Sequence, residues 1–207
     1  MKKYEFTGET KEIRLLFRTV TLHRIRATVA FGIVEVGDLG GWIEKEENLS
    51  HEGKAWVWGN AKVWGNAKVC GDAEVCGDAE VWGDAEVWGN AKVWGNAEVC
   101  GDAEVWGNAE VWGNAEVCGD AEVFSASHVL VIGAIGSRND FTTFYRDKDN
   151  EITVKCGCFL GKIDRFLEKV TQTHGDSKYA LVYRAAVEVA KLQIDLSGEA
   201  PKDADEE

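Results

Sequence analysis

Valine recurs at every sixth residue from Val57 to Val123, twelve times without an insertion, and this interval constrains the fold more than any other feature. The units read VWGNAK, VWGNAK, VCGDAE, VCGDAE, VWGDAE, VWGNAK, VWGNAE, VCGDAE, VWGNAE, VWGNAE and VCGDAE, then a degenerate VFSASH. A helix needs apolar positions about 3.6 residues apart; this unit alternates small apolar, charged, Val and Trp or Cys, and then presents Gly with Asn or Asp. That is a short strand followed by a turn. In Ala61-Lys62-Val63-Trp64 the strand alternation sends Lys62 to solvent, so Ala61 and Val63 point inward and Trp64 shares the outward side. Glycine supplies positive φ at the corner, and Asn and Asp are the side chains that best accept the left-handed region.

These units resemble the hexapeptide repeat of left-handed β-helices. There an aliphatic residue and a small residue four positions later point into a triangular prism, with three hexapeptides per coil. Val57 with Ala61, and Val63 with Ala67, match that pattern. The family usually places a small or acidic residue after the aliphatic one, where this chain has Trp or Cys, so the resemblance leaves the core intact and makes the exterior unusual. The segments GDLGGWIEKEENLS at 37–50, SRND at 137–140, CGCF at 156–159 and THGDSKYA at 173–180 extend the resemblance to uncharacterised bacterial and phage hexapeptide-repeat proteins, some labelled polymer-forming or acyltransferase. The resemblance implies a mainly β chain of about four to six left-handed coils and is weak for function, since a fold does not settle what is done on it.

Eighteen residues per coil would sort the outward Trp/Cys positions into three rows. The first holds Trp58, Cys76, Trp94 and Trp112; the second Trp64, Trp82, Cys100 and Cys118; the third Cys70, Trp88, Trp106 and Phe124. Rows of Trp on a soluble surface predict an interface, because Trp58, Trp64, Trp82, Trp88, Trp94, Trp106 and Trp112 together exceed the apolar area a monomer ordinarily exposes. The expected partner is a second copy, with a trimer favoured; a further protein or small ligand is left unidentified. The same coiling aligns Glu80, Glu98 and Glu116 in one column and Asp84, Asp102 and Asp120 at the neighbouring corner, a candidate edge for cations or a basic partner, or simply a solvated face. Cys100 and Cys118 stack in adjacent coils within disulfide reach, and in a reducing compartment they are expected to stay thiols.

The flanks read as caps. Residues 1–56 are expected to form an N-terminal β cap and a first coil, with Ile43 and Leu49 six apart and Leu49 to Val57 eight apart, a two-residue bulge. Residues 57–136 form the solenoid, with HVLVIGAIG as a last irregular coil. Residues 137–196 carry a β-hairpin around DKDN and two amphipathic helices, one with Ile163, Phe166, Leu167 and Val170, the other with Tyr179, Val182, Tyr183, Ala186 and Val189. Residues 197–207 read as a disordered acidic tail.

The formal charge of −13 narrows the function classes. Residues 57–123 carry three Lys/Arg against 13 Asp/Glu, so the acidity belongs mainly to the repeat, and direct nucleic-acid binding is not expected. No apolar run is long enough to cross a membrane, and the charged start MKKYEFTGETKEIRLL does not fit a secretory leader, so the expected location is the cytoplasm. The histidines His23, His51, His128 and His174 all lie in the flanks, whereas an acyltransferase of the resembling kind needs a base at the groove between prisms; His128 is the one it could recruit. Cys156 and Cys158 with His174 fall short of a zinc ligand set, and glycines that recur as corners are not a phosphate loop. No catalytic residue, metal or cofactor is therefore assigned. The reading is a non-enzymatic β-solenoid scaffold or binding protein, with a hexapeptide-repeat acyltransferase and an acidic DNA-mimic inhibitor as alternatives.

Overall fold

The structure, a computed structural model, describes residues 2–197. Of the expected acidic tail, residues 198–207 lie outside the described residues. The chain is a parallel β-solenoid of about five turns, closed below by an N-terminal hairpin and above by an antiparallel sheet and two helices.

The entry segment gives β1 (Tyr4–Arg14), β2 (Thr19–Ala27) and β3 (Leu39–Ile43). Each hexad then contributes one strand of two or three residues, and every third hexad falls on the same face. The first face carries β4 (Trp56–Val57), β7 (Glu74–Val75), β10 (Lys92–Val93) and β13 (Glu110–Val111). The second carries β5 (Lys62–Val63), β8 (Glu80–Val81), β11 (Glu98–Cys100) and β14 (Glu116–Cys118), extended by β3, β2 and β1. The third carries β6 (Lys68–Val69), β9 (Glu86–Val87), β12 (Glu104–Val105) and β15 (Glu122–Val123). Pairing is parallel and in register, Val63 with Val81, Val81 with Val99, and Val99 with Val117.

The expected core is observed. Val63, Val81, Val99 and Val117 are fully buried, as are Ala61, Ala79, Ala97 and Ala115, while Lys62, Glu80, Glu98 and Glu116 line the outside. Ile43 pairs with Val63 and Leu49 bridges to Val69, twenty residues apart rather than eighteen, so the bulge before Val57 takes up the two extra residues. Corner glycines adopt positive φ. At Gly83, φ is 82° and a Cβ would sit 2.9 Å from the Gly101 nitrogen, so both conformation and close stacking exclude a side chain there.

Beyond the repeat one expectation fails. HVLVIGAIG does not continue the solenoid: Val129–Ile135 forms β16, antiparallel to β17 (Asp140–Arg146), which pairs β18 (Ile152–Cys156) and then β19 (Phe159–Lys162). Val129 and Val131 still pack on the solenoid core, while Leu130 and Ile132 turn to the helices, so one strand joins the two cores. The expected helices are α1 (Ile163–His174) and α2 (Lys178–Gln193), burying Phe166, Val170, Tyr183 and Val187 against the sheet.

Side chains close the open coils. Below, Lys3 Nζ donates to the Ala55 carbonyl (2.9 Å), Tyr4 Oη to that of Leu49 (2.9 Å), and Asn48 Nδ2 to that of Ala67 (2.8 Å). Above, Thr143 Oγ1 accepts the Glu116 N–H (3.0 Å), and Tyr145 Oη accepts the Cys118 N–H (3.3 Å) while donating to the Cys118 carbonyl (2.7 Å).

The dry Val ladder sets a test. Val99→Asp places an unpaired charge among fully buried neighbours and is expected to abolish the cooperative melt followed by circular dichroism, whereas Val99→Ala costs about 2 kcal/mol and keeps it.

Candidate functional site

The three outward rows meet different surroundings. On the second face Trp64 stacks on Trp82 at 6.0 Å, and the hairpin folds Val20 and Leu22 over Trp64, leaving it 4% exposed. Further along the same row Cys100 and Cys118 are joined by a disulfide, which corrects the expectation of free thiols. The cause is register, since adjacent coils hold their Cα atoms 4.5 Å apart. On the third face Trp88 and Trp106 stack at 4.6 Å, Phe124 lies against Trp106, and the Arg146 guanidinium covers Phe124 at 4.6 Å.

Trp64 and Trp106 are therefore buried within the chain, which corrects the expectation that all seven Trp side chains are solvent-facing. Trp58, Trp82 and Trp88 are half-buried, and among the seven only Trp94 and Trp112, 40% and 56% exposed, stand open on the first face. Trp56 was not singled out by the repeat. It occupies the position where other hexads carry Lys or Glu, and Tyr4 and Phe31 bury it to 1% exposure. An indole at a charge position was the available signal.

The first face also holds a groove. The Phe31–Val34 loop walls it, Trp56 and Trp58 form its aromatic end, and Glu74, Lys92 and Glu110 run along its floor, enclosing about 480 Å³. An ion pair of Lys54 with Asp72 (2.7 Å) lies at its edge. Alternating charge beside aromatic rings suits a partner surface that is itself part polar and part aromatic.

The acidic column is in register, Glu80 beside Glu98 and Glu98 beside Glu116. Its ends are neutralised: Lys62 pairs with Glu80, and Lys155 with Glu116 at 2.7 Å. Glu98 in the middle has only carboxylate neighbours in the column. Burial raises its pKa, and the Glu116 and Glu80 charges raise it further. The corner Asp84, Asp102 and Asp120 are exposed, with Asn66 donating to Asp84 (2.9 Å) and Lys148 paired with Asp120 (2.7 Å). Among the described residues no group of three or more His, Cys, Asp or Glu side chains is arranged to hold a metal ion.

The histidines, Cys156 and Cys158 lie in the flanking caps, while Cys70 and Cys76, outside the disulfide, stay on the outward rows of the repeat. His128 is 2% exposed and its Nδ1 accepts the Phe124 N–H (3.4 Å); burial, and then Arg146, lower its pKa. His51 stacks on Tyr4, His23 on Phe6 and His174 on Tyr183. Cys156 closes β18 and Cys158 follows in the turn to β19, so the two do not lie on one strand; Thr142 Oγ1 lies 3.3 Å from the Cys156 sulfur and Arg138 Nη1 lies 3.8 Å from that of Cys158. No protein-family model matches the chain, and no curated protein is significantly similar to it.

Two outcomes follow for the rows. Trp106→Ser should cost about 3 kcal/mol in chemical denaturation, and Trp112→Ser less than about 1 kcal/mol, because only the first ring is enclosed.

The column is tested by Glu98→Lys, which would alternate charge from Lys62 to Lys155 and should add about 0.5–1 kcal/mol, a melting rise of roughly 1–4 °C. A raised folded pKa means that the folded chain holds this proton more tightly. The contribution of Glu98 therefore favours folding at low pH and is lost as pH rises through its folded value, so acidification from neutrality toward 4.5 should stabilise the parent, and less so Glu98→Lys. Groups such as Asp72, held below 3.8 first by the Lys54 hydrogen bond, reverse the trend only at lower pH.

Proposed function

We propose that this chain is a non-enzymatic β-solenoid scaffold that self-associates through the face it leaves open. One observation carries the reading: the protein covers the Trp64 and Trp106 rows with its own segments and leaves Trp94 and Trp112 stacked at 5.6 Å in solvent beside a groove. Stacked indoles are large rigid anchors of the kind that dominate interfaces, and the Glu74, Lys92 and Glu110 floor gives such a contact its register.

The partner is a second copy, and a trimer is the favoured assembly. Light scattering at micromolar concentration should give a multiple of 22.8 kDa, and Trp94→Ser should lower it without changing the circular dichroism spectrum. A parent protein that runs as a monodisperse 22.8 kDa particle would sink this function.

A further inference from the structure

The last coil ends differently on its three faces. On the second face Thr143 and Tyr145 take the Glu116 and Cys118 N–H groups, and on the third His128 takes that of Phe124. On the first face Lys92, Trp94 and Asn96 give their N–H groups to carbonyls of the coil above, at 2.9, 2.9 and 2.8 Å. Glu110, Trp112 and Asn114 hold the same positions one coil later, where β13 is the outermost strand of its sheet. Gly113 accordingly has nothing within 4 Å of the place where a side chain would begin.

A second edge, like the first unpaired among the described residues, lies alongside. β16 is the outer strand of the C-terminal sheet and reads VLVIGAI, without a charge to guard it. Between Trp112, Gly113 and Asn114 on one side and Val129, Leu130 and Val131 on the other is an apolar groove of about 450 Å³, with Phe141 at its wall. An uncharged strand edge such as β16 beside an apolar groove is what proteins ordinarily cover.

The same chain displays an element of matching chemistry. The turn between β1 and β2, closed by the Leu15 N–H to the Arg18 carbonyl (2.8 Å), holds Leu16 and Phe17 in solvent at 87% and 94% exposure. Exposed Arg14 and Arg18 flank it on a chain whose net charge is −13, and exposed Glu110, two residues before Trp112, and Asp140, next to Phe141, stand close in sequence to the groove-side segments. The segment 198–207, GEAPKDADEE, is acidic and polar, the wrong chemistry for an apolar groove between carboxylates.

We propose that the groove between β13 and β16 receives the Leu16–Phe17 turn of a second copy of this chain. The proposal rests on the self-association reading and names the surfaces it uses. Leu16 and Phe17 fill the groove, carbonyl oxygens of the turn accept the Trp112 and Asn114 N–H groups, which have no partner among the described residues, and the two arginines face Glu110 and Asp140. Turn and groove are different surfaces, so the contact is head-to-tail, and a ring of three closes it as a trimer.

The test is complementation. Leu16→Asp/Phe17→Asp removes the turn and Trp112→Arg blocks the groove; both sites are exposed, so each variant should keep the parent circular dichroism spectrum and a cooperative melt. By light scattering each variant alone should be a monomer, and an equimolar mixture should form a two-chain particle and nothing larger, because one intact turn meets one intact groove. A turn variant that assembles like the parent overturns the proposal, whether residues 198–207 or another peptide occupies the groove. If assembly is then lost in Trp94→Ser, self-association stands and only its surfaces were misassigned; a monomeric parent ends both.

Discussion

Backbone hydrogen bonds from each coil to the next are the interaction on which the rest of the molecule depends. A strand of two residues has too little to hold itself, and the Val–Ala tube is too thin to bury large side chains. What fixes a coil is the set of N–H groups it gives to the coil eighteen residues later, such as Glu80 to Ala97 at 2.9 Å and Trp82 to Val99 at 2.9 Å. A ladder of this kind has two ends, and an unpaired end is costly if buried and adhesive if exposed. Lys3, Tyr4 and Asn48 at the base, and Thr143, Tyr145 and His128 at the top, occupy groups that a missing coil would have taken.

The exterior then supplies burial that the tube cannot. Indoles one coil apart are carried to stacking distance by the backbone spacing, so each ring pair adds about 0.5–1.5 kcal/mol beyond its area with no further ordering of the chain. Where the hairpin or the C-terminal sheet lies over a row, those rings become a second core on the outside of the prism. The carboxylate column shows the cost of the same geometry, since equal spacing brings like charges together as faithfully as it brings rings together, and Lys62 and Lys155 relieve only its ends.

Much of this was legible in the sequence. The unbroken six-residue interval placed every strand from Val57 to Val123, and the eight-residue step from Leu49 revealed the bulge. Helical spacing of Ile163, Phe166 and Val170 revealed α1. Val129–Ile135 was misread because a continuous apolar run looks the same whether its neighbour is parallel or antiparallel, and only the partner β17 decides. The fate of the Trp rows was hidden for a related reason: the hexads are equivalent locally, and which row is covered depends on where distant segments such as Val20 and Leu22 come to lie. The Cys100–Cys118 bond was geometrically visible, but the redox assumption was not a property of the repeat.

The three-hexad coil also governs how such a chain can change length. Adding one hexad would rotate everything after it by a third of a turn, carrying the C-terminal sheet away from β14 and presenting Thr143 and Tyr145 to a different face. Adding three would lift the same sheet by one rung and leave every side-chain cap over its own strand. Six residues are thus the unit in which the sequence repeats, but eighteen are the unit in which the molecule can grow without being redesigned at its ends.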